Sequence, residues 1–187
     1  MAATADSPIL NSPQATPQQC SRYILSRPHG EYTETDIAGV IVPAYFAVCA
    51  RAGVDPLLVI AQMIHETGNL CSAWSARPHR NPAGLGVTGE PGKGLSFPTW
   101  KDDAIPAHVG RLLAYALTDQ QANGEQKELI TKALNYRRLP NNYRGCAPTL
   151  RGLVGTWAYP GKKVVNGKLI TYADAIAGIA IAIQSFQ

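Results

Sequence analysis

Few residues of this chain are charged, 16%, and fewer are aromatic, 7%. No stretch carries a basic block or a repeated aromatic-basic alternation of the kind that tracks a phosphate backbone, so nothing marks a nucleic-acid partner. The nearest pattern, Tyr136 to Arg138 with Tyr143 and Arg144, reads as a solvated helix end and the loop after it. Cys20, Cys49, Cys71 and Cys146 are too widely spaced for a zinc ribbon or a redox pair, each of which needs two cysteines a few residues apart. Cys49 falls in an apolar helical pattern and reads as a small core residue, while the other three stay open between free and paired thiols. No basic flank followed by an apolar run begins the chain, and no apolar run approaches membrane-spanning length; neither an export signal nor an anchor is visible. A Gly-x-Ser-x-Gly elbow and repeats of solenoid length are also absent.

What is present suits one domain with a sizeable core: 187 residues, 45% of them hydrophobic. A net charge of +4 favours an anionic polymer, a bacterial wall or a nucleic acid, without choosing between them. Residues 1–17 are rich in Ala, Ser, Thr and Pro and read as a flexible tail or linker, leaving 18–187 as the domain. Capping spacings at Thr33 and Asp36, Thr99 and Asp102, and Thr171 and Asp174 predict helices over 33–53, 99–117 and 171 onward. Pro43 and Pro106 are expected to kink the first two. Shorter helices are expected over 18–27, 125–136 and 149–157, the last weakened by Gly152 and Gly155. Residues 69–98 are dense in Pro, Gly, Ser and Asn, with room for one hairpin pairing Leu85–Thr88 with Leu95–Phe97 across Gly89 to Gly92. The fold class is mainly α, or α+β: six or seven helices around a buried central helix, with a small loop-rich or hairpin lobe.

The central helix is the best specified element. In Asp55 to Asn69, DPLLVIAQMIHETGN, Asp55 can cap the first amides, Pro56 suits the first helical position and Gly68 offers a left-handed stop. Every residue from Leu57 to Ile64 except Gln62 is apolar, as in a helix inside a core. Glu66 sits at the end, one turn beyond Gln62, with His65 and Asn69 on the same edge. An apolar setting and the negative end of the helix dipole both disfavour its ionised form, and a carboxyl that keeps its proton is what a general acid requires. A structural acid reaching water at a helix end is the plainer reading of the same residue.

Three motifs in order then carry a resemblance: IAQMIHETG, NPAGLGV and FPTWKDDAIPAHVGRLL. Together they resemble the core of glycoside hydrolase family 73, bacterial endo-β-N-acetylglucosaminidases of the lysozyme-like superfamily, with the likeness strongest over 55–116. In that family a helix ending in Ala-Gln, apolar residues, Glu, a small hydroxyl residue and Gly supplies the catalytic acid. That pattern matches Ala61, Gln62, Glu66, Thr67 and Gly68. The family's Asn-x-x-Gly-Ile turn matches Asn81, Gly84 and Leu85, and its aromatic helix start with a later His and paired leucines matches Thr99, Trp100, His108, Leu112 and Leu113. Toward the end the chain departs. Trp157 stands where the family has a tyrosine, with Tyr159 and Tyr172 as possible replacements, and the segment that bears a second Glu in relatives is short here and offers Glu90.

The resemblance implies an enzyme that cuts the glycan strand of peptidoglycan, an endolysin or autolysin, with Glu66 as general acid and Glu90 as a second group. It implies sugar-facing positions at Gln62, His65, Trp74, Asn81, Phe97, Trp100, Trp157, Tyr159 and Tyr172, the aromatic ones suiting the apolar faces of sugar rings. No metal or cofactor is called for, and the expected state is a monomer acting outside the cell or at the wall, with neither nucleic acid nor membrane as partner. A phage-encoded protein or an excised module is one reading of a chain with no visible export signal. A substrate acetamido group can replace a second carboxylate in such chemistry. Muramidase or lytic transglycosylase activity, or a wall-binding module without catalysis, are the alternatives on one scaffold. A zinc protease is excluded at His65-Glu66, because position 69 is Asn and the second helix-borne ligand is missing. Cys71 with His79 or His108 has no local pattern to support a cysteine peptidase.

Overall fold

A computed structural model describes residues 1–90 and 92–186, and among these the fold is mostly helical. Helix α1 spans Pro17–Leu25, α2 Glu34–Asp36, α3 Val42–Ala52, α4 Pro56–Thr67, α5 Ile105–Ala116, α6 Gly124–Tyr136 and α7 Tyr172–Gln184. Strands β1 (Lys162–Val165) and β2 (Lys168–Thr171) pair antiparallel in a two-stranded sheet. Helix α4 runs through the core as its sequence requires. Asp55 accepts from the Leu57 amide at 3.0 Å, Gly68 ends the helix at φ 57°, and every residue of α4 except His65 and Glu66 is buried. Each fully buried Leu, Ile or Val there contributes roughly 1.5–3 kcal/mol over an exposed one.

The two expected kinks take one form. A π-helical turn, Ile37–Ile41, joins α2 to α3, and another, Trp100–Ala104, leads into α5. The Val42 amide reaches the Ile37 carbonyl and the Ile105 amide the Trp100 carbonyl, so the α register is already interrupted where Pro43 and Pro106 lack a donor. At the second helix start Thr99 accepts from the Asp102 amide at 3.0 Å, but Asp103, not Asp102, returns the reciprocal bond to the Thr99 amide.

Helices α5 and α6 pack tightly at Gly110, where a Cβ would collide with the Leu129 carbonyl oxygen. Helix α7 lies along α4, burying Ala173, Ile176, Ala177, Ala180 and Ile183. These packings hold the C-terminal end of α4 and the start of α7 side by side, which is where the site forms.

Four expectations change. Residues 1–17 are docked, not a free tail: Ile9 is fully buried, Pro8 bridges to Thr149 and Leu10 to Val54. The apolar pair Ile9-Leu10 is diluted in a polar composition but sufficient to anchor an extended segment. The lobe at 69–98 forms no strands among its described residues. Its Leu95 amide meets the Leu85 carbonyl at 3.0 Å, but Gly86 and Gly89 take left-handed backbones that strand pairing does not allow. The sheet instead occupies 162–171, turning at Asn166 and Gly167, both with positive φ as a two-residue hairpin needs. The helix expected over 149–157 shrinks to a 3₁₀ turn, Leu150–Leu153, because Gly152 packs against Ala147 and Gly155 leaves the helical region at φ 79°. Finally, the continuous rod Glu34–Ala52 is long and apolar enough to cross a membrane, although Ile37, Ile41, Tyr45 and Cys49 on it are fully buried in this core.

Candidate active site

Glu66 leaves the end of α4 half-buried and is gripped by two residues far along the chain. Trp157 donates its indole N–H to Glu66 Oε1 at 3.1 Å, and the Tyr172 hydroxyl, at the first position of α7, donates to the same oxygen. Behind this pair runs a buried chain of hydrogen bonds. The Gln62 amide nitrogen donates to the Tyr172 hydroxyl at 2.9 Å, and its carbonyl oxygen faces His108 Nε2 at 3.0 Å. His108 Nε2 must therefore carry the proton, which leaves Nδ1 to accept from the Tyr45 hydroxyl at 2.8 Å. Burial pushes the His108 pKa down to about 3, so the ring stays neutral as this arrangement demands. Burial, then the charge of Glu66, holds the Tyr172 hydroxyl well above its ordinary range and keeps it a donor. Every proton in the chain from Tyr45 to Glu66 thus points toward the carboxyl group, and bonds aligned in one direction strengthen one another.

Glu66 lines a cleft of about 570 Å³ together with Trp157, Tyr172, the segment Ala83 to Leu85, Arg111, Tyr115 and residues 137–140. It is the one carboxylate among the described residues lining that cleft. A recess of about 650 Å³ along α6 is larger, but it is lined by a single helix face, Lys127 to Tyr136, and no groups converge from other elements. The Glu66 cleft is formed by six separate parts of the chain, as binding sites usually are.

The residues expected in the site fall into three groups. Glu66, Trp157 and Tyr172 meet in the cleft, and of the two tyrosines Tyr159 and Tyr172 it is Tyr172 that reaches the acid. Gln62 and Asn81 act one layer back. Gln62 is buried and holds Tyr172, while the fully buried Asn81 side chain bonds both Leu85 and Leu95 carbonyls and so shapes the cleft wall at Ala83 to Leu85. His65 is exposed and meets the Tyr172 ring edge-on at 5.2 Å. The rest lie outside the cleft lining. Phe97 is in the core against Tyr136, Trp100 is buried against Tyr32, and Trp74 packs on His79 and Gly94 within the lobe. Tyr159 stands 89% exposed. Glu90 is exposed, paired with Lys93, and does not line the cleft. No group of His, Cys, Asp and Glu among the described residues could hold a metal.

Arg111, Tyr115, Arg137, Arg138 and Tyr143 line the cleft and were not singled out as site residues. Two signals were available in the sequence: Arg111 in the largely apolar run of α5, and the Tyr136-Arg137-Arg138 segment, read as a solvated helix end. Comparison with protein-family models, curated proteins and solved structures finds no match.

Proposed function

We propose that this protein hydrolyses the glycan strand of bacterial peptidoglycan, as an endo-β-N-acetylglucosaminidase of lysozyme-like fold, with Glu66 as general acid. The observation that carries the reading is a carboxyl group held through one oxygen by two side-chain donors, Trp157 and Tyr172, in a cleft with no other carboxylate among its described lining. With Oε1 committed to two donors, the proton of the neutral acid belongs on Oε2, free to meet a glycosidic oxygen. As the bond from the anomeric carbon to that oxygen breaks, Oε2 gives up its proton and the leaving sugar departs as an alcohol. Trp157 and Tyr172 then stabilise the carboxylate that remains.

A cleft with one carboxylate favours a partner from the substrate. The acetamido oxygen of the N-acetyl sugar bonds to the anomeric carbon as the leaving group departs, and water, losing a proton to Glu66, reopens that ring. The same lone acid suits a lytic transglycosylase, in which a sugar hydroxyl replaces water and an anhydro end results; a muramidase would expose N-acetylmuramic acid. The protein would work as a monomer at the wall or outside the cell.

Turbidity of a cell-wall suspension tests the assignment. Glu66→Gln keeps the shape of the side chain and removes the proton, and clearing is expected to slow about 10²–10⁴-fold. A folded Glu66→Gln protein that clears walls at the native rate would leave a wall-binding module without catalysis as the reading.

A further inference from the structure

Arg111 is an unusual occupant of its helix. Every residue of α5 is buried, and Arg111 itself is 8% exposed. One of its N–H groups donates to the Arg137 carbonyl at 2.9 Å, and the guanidinium lies 5.9 Å from the centre of the Tyr115 ring. Among the described residues no carboxylate comes within ion-pair distance of it, Glu66 included. A buried charge without a carboxylate partner is costly; burial depresses the pKa of this guanidinium, Tyr115 beside it works the other way, and Arg137 nearby adds repulsion. Arg137 and Arg138 are exposed, unpaired with any acid among the described residues, and line the same cleft. Three arginine residues therefore line, with one carboxylate, a recess open to a ligand.

We infer that Arg111, Arg137 and Arg138 form a carboxylate-binding subsite, so that the cleft selects glycan carrying acidic substituents over neutral N-acetylglucosamine polymer. The anion supplies the partner that Arg111 lacks, and guanidinium binds carboxylate through paired N–H donors. This rests on the proposed action on peptidoglycan and narrows its substrate. In that polymer the carboxylate has two sources, the acids of the stem peptide or the lactyl group freed when the peptide is removed.

Calorimetric binding to the Glu66→Gln protein, which prevents turnover, separates them with three ligands of equal sugar count: peptide-bearing glycan, the same glycan stripped to its lactyl acids, and neutral N-acetylglucosamine oligomer. A charge-assisted pair predicts roughly 10–100-fold tighter binding of an acidic ligand than of the neutral one, weakening with salt. Whichever acidic ligand shows the preference identifies the source. Arg111→Gln should bring the ratio close to one, and Arg137→Gln with Arg138→Gln, on exposed positions that do not risk the fold, should reduce it several-fold. Equal affinity for all three ligands, no binding of any, or a ratio unmoved in the exposed double variant overturns the subsite. An oligonucleotide that binds as tightly as the acidic glycan also overturns it, since the cleft would then read phosphate. Release of new chain ends by the wild-type protein is scored separately, so a failed hydrolysis proposal is distinguished from a failed subsite.

Discussion

The two ends of α4 each carry a carboxylate, and their partners are of different kinds. Asp55 accepts from two backbone amides, Leu57 at 3.0 Å and Gln14 at 3.2 Å, and is closed from solvent at 2% exposure. Glu66 accepts from two side chains, an indole and a phenol, and borders a cleft. Backbone donors at an N-cap are what folding itself supplies, whereas a matched pair of side-chain donors must be brought from distant parts of the chain. Position on a helix therefore separates the two acids less well than the origin of their hydrogen bonds.

Substituting each acid sharpens that contrast. Glu66→Gln should lower wall clearing about 10²–10⁴-fold with the melting temperature nearly unchanged. Tyr172→Phe removes one donor from Glu66 and the acceptor of Gln62, and a bond to a charged group contributes about 1.5–3 kcal/mol, so a loss of roughly 10–100-fold in kcat is expected. A Tyr172→Phe protein that clears walls at the native rate would mean that the phenol only packs. Asp55→Ala should do the reverse, lowering unfolding free energy by about 1–2 kcal/mol in urea titrations while leaving the rate per folded molecule intact. Lost activity without lost stability would show that Asp55 belongs with the site.

Protonation extends the comparison. Burial, outweighing the bonds from Gln14 and Leu57, raises the Asp55 pKa from the ordinary 3.8 to about 6. A folded value above the unfolded one means that folding favours the protonated acid. This contribution is fully present below pH 3.8 and is lost as pH rises through about 6, an effect on the order of 2–3 kcal/mol. Unfolding free energy measured across that window should show the slope in the native chain and a flatter profile in Asp55→Asn. An identical slope in both would assign it to other groups. The smallest effect is expected from Glu90→Gln: its exposed pair with Lys93 is worth at most about 1 kcal/mol, and turnover should stay near the native rate. A hundredfold loss would bring Glu90 into the chemistry and make a substrate acetamido group unnecessary.

Helix α4 was legible to the residue because its signals are local: Asp55 and Pro56 at one end, Gly68 at the other. Capping boxes at Thr33 and Thr171 were legible for the same reason, as was an interruption before Pro43, though not its π-helical form. The hairpin shows a local signal passed over, since Asn166-Gly167 marks a two-residue turn that the lobe at 69–98 lacks. There Asn81 takes over the bridging that strand pairing would have provided. Glu66 could be singled out from its own helix. Its grip by Trp157 and Tyr172, 91 and 106 residues away, depends on how α7 packs on α4, and no local pattern encodes that. The aromatic residues Phe97 and Trp100 illustrate the converse: they lie close in sequence to the matched motifs, yet they pack in the core and do not line the cleft.

The most direct test is mass spectrometry of the chain ends released from purified peptidoglycan by the native protein and by Glu66→Gln in parallel. New reducing ends of N-acetylglucosamine, abundant with the native protein and reduced at least a hundredfold with the variant, are the predicted result. Ends that accumulate equally with both proteins, or with neither, would contradict catalysis by Glu66.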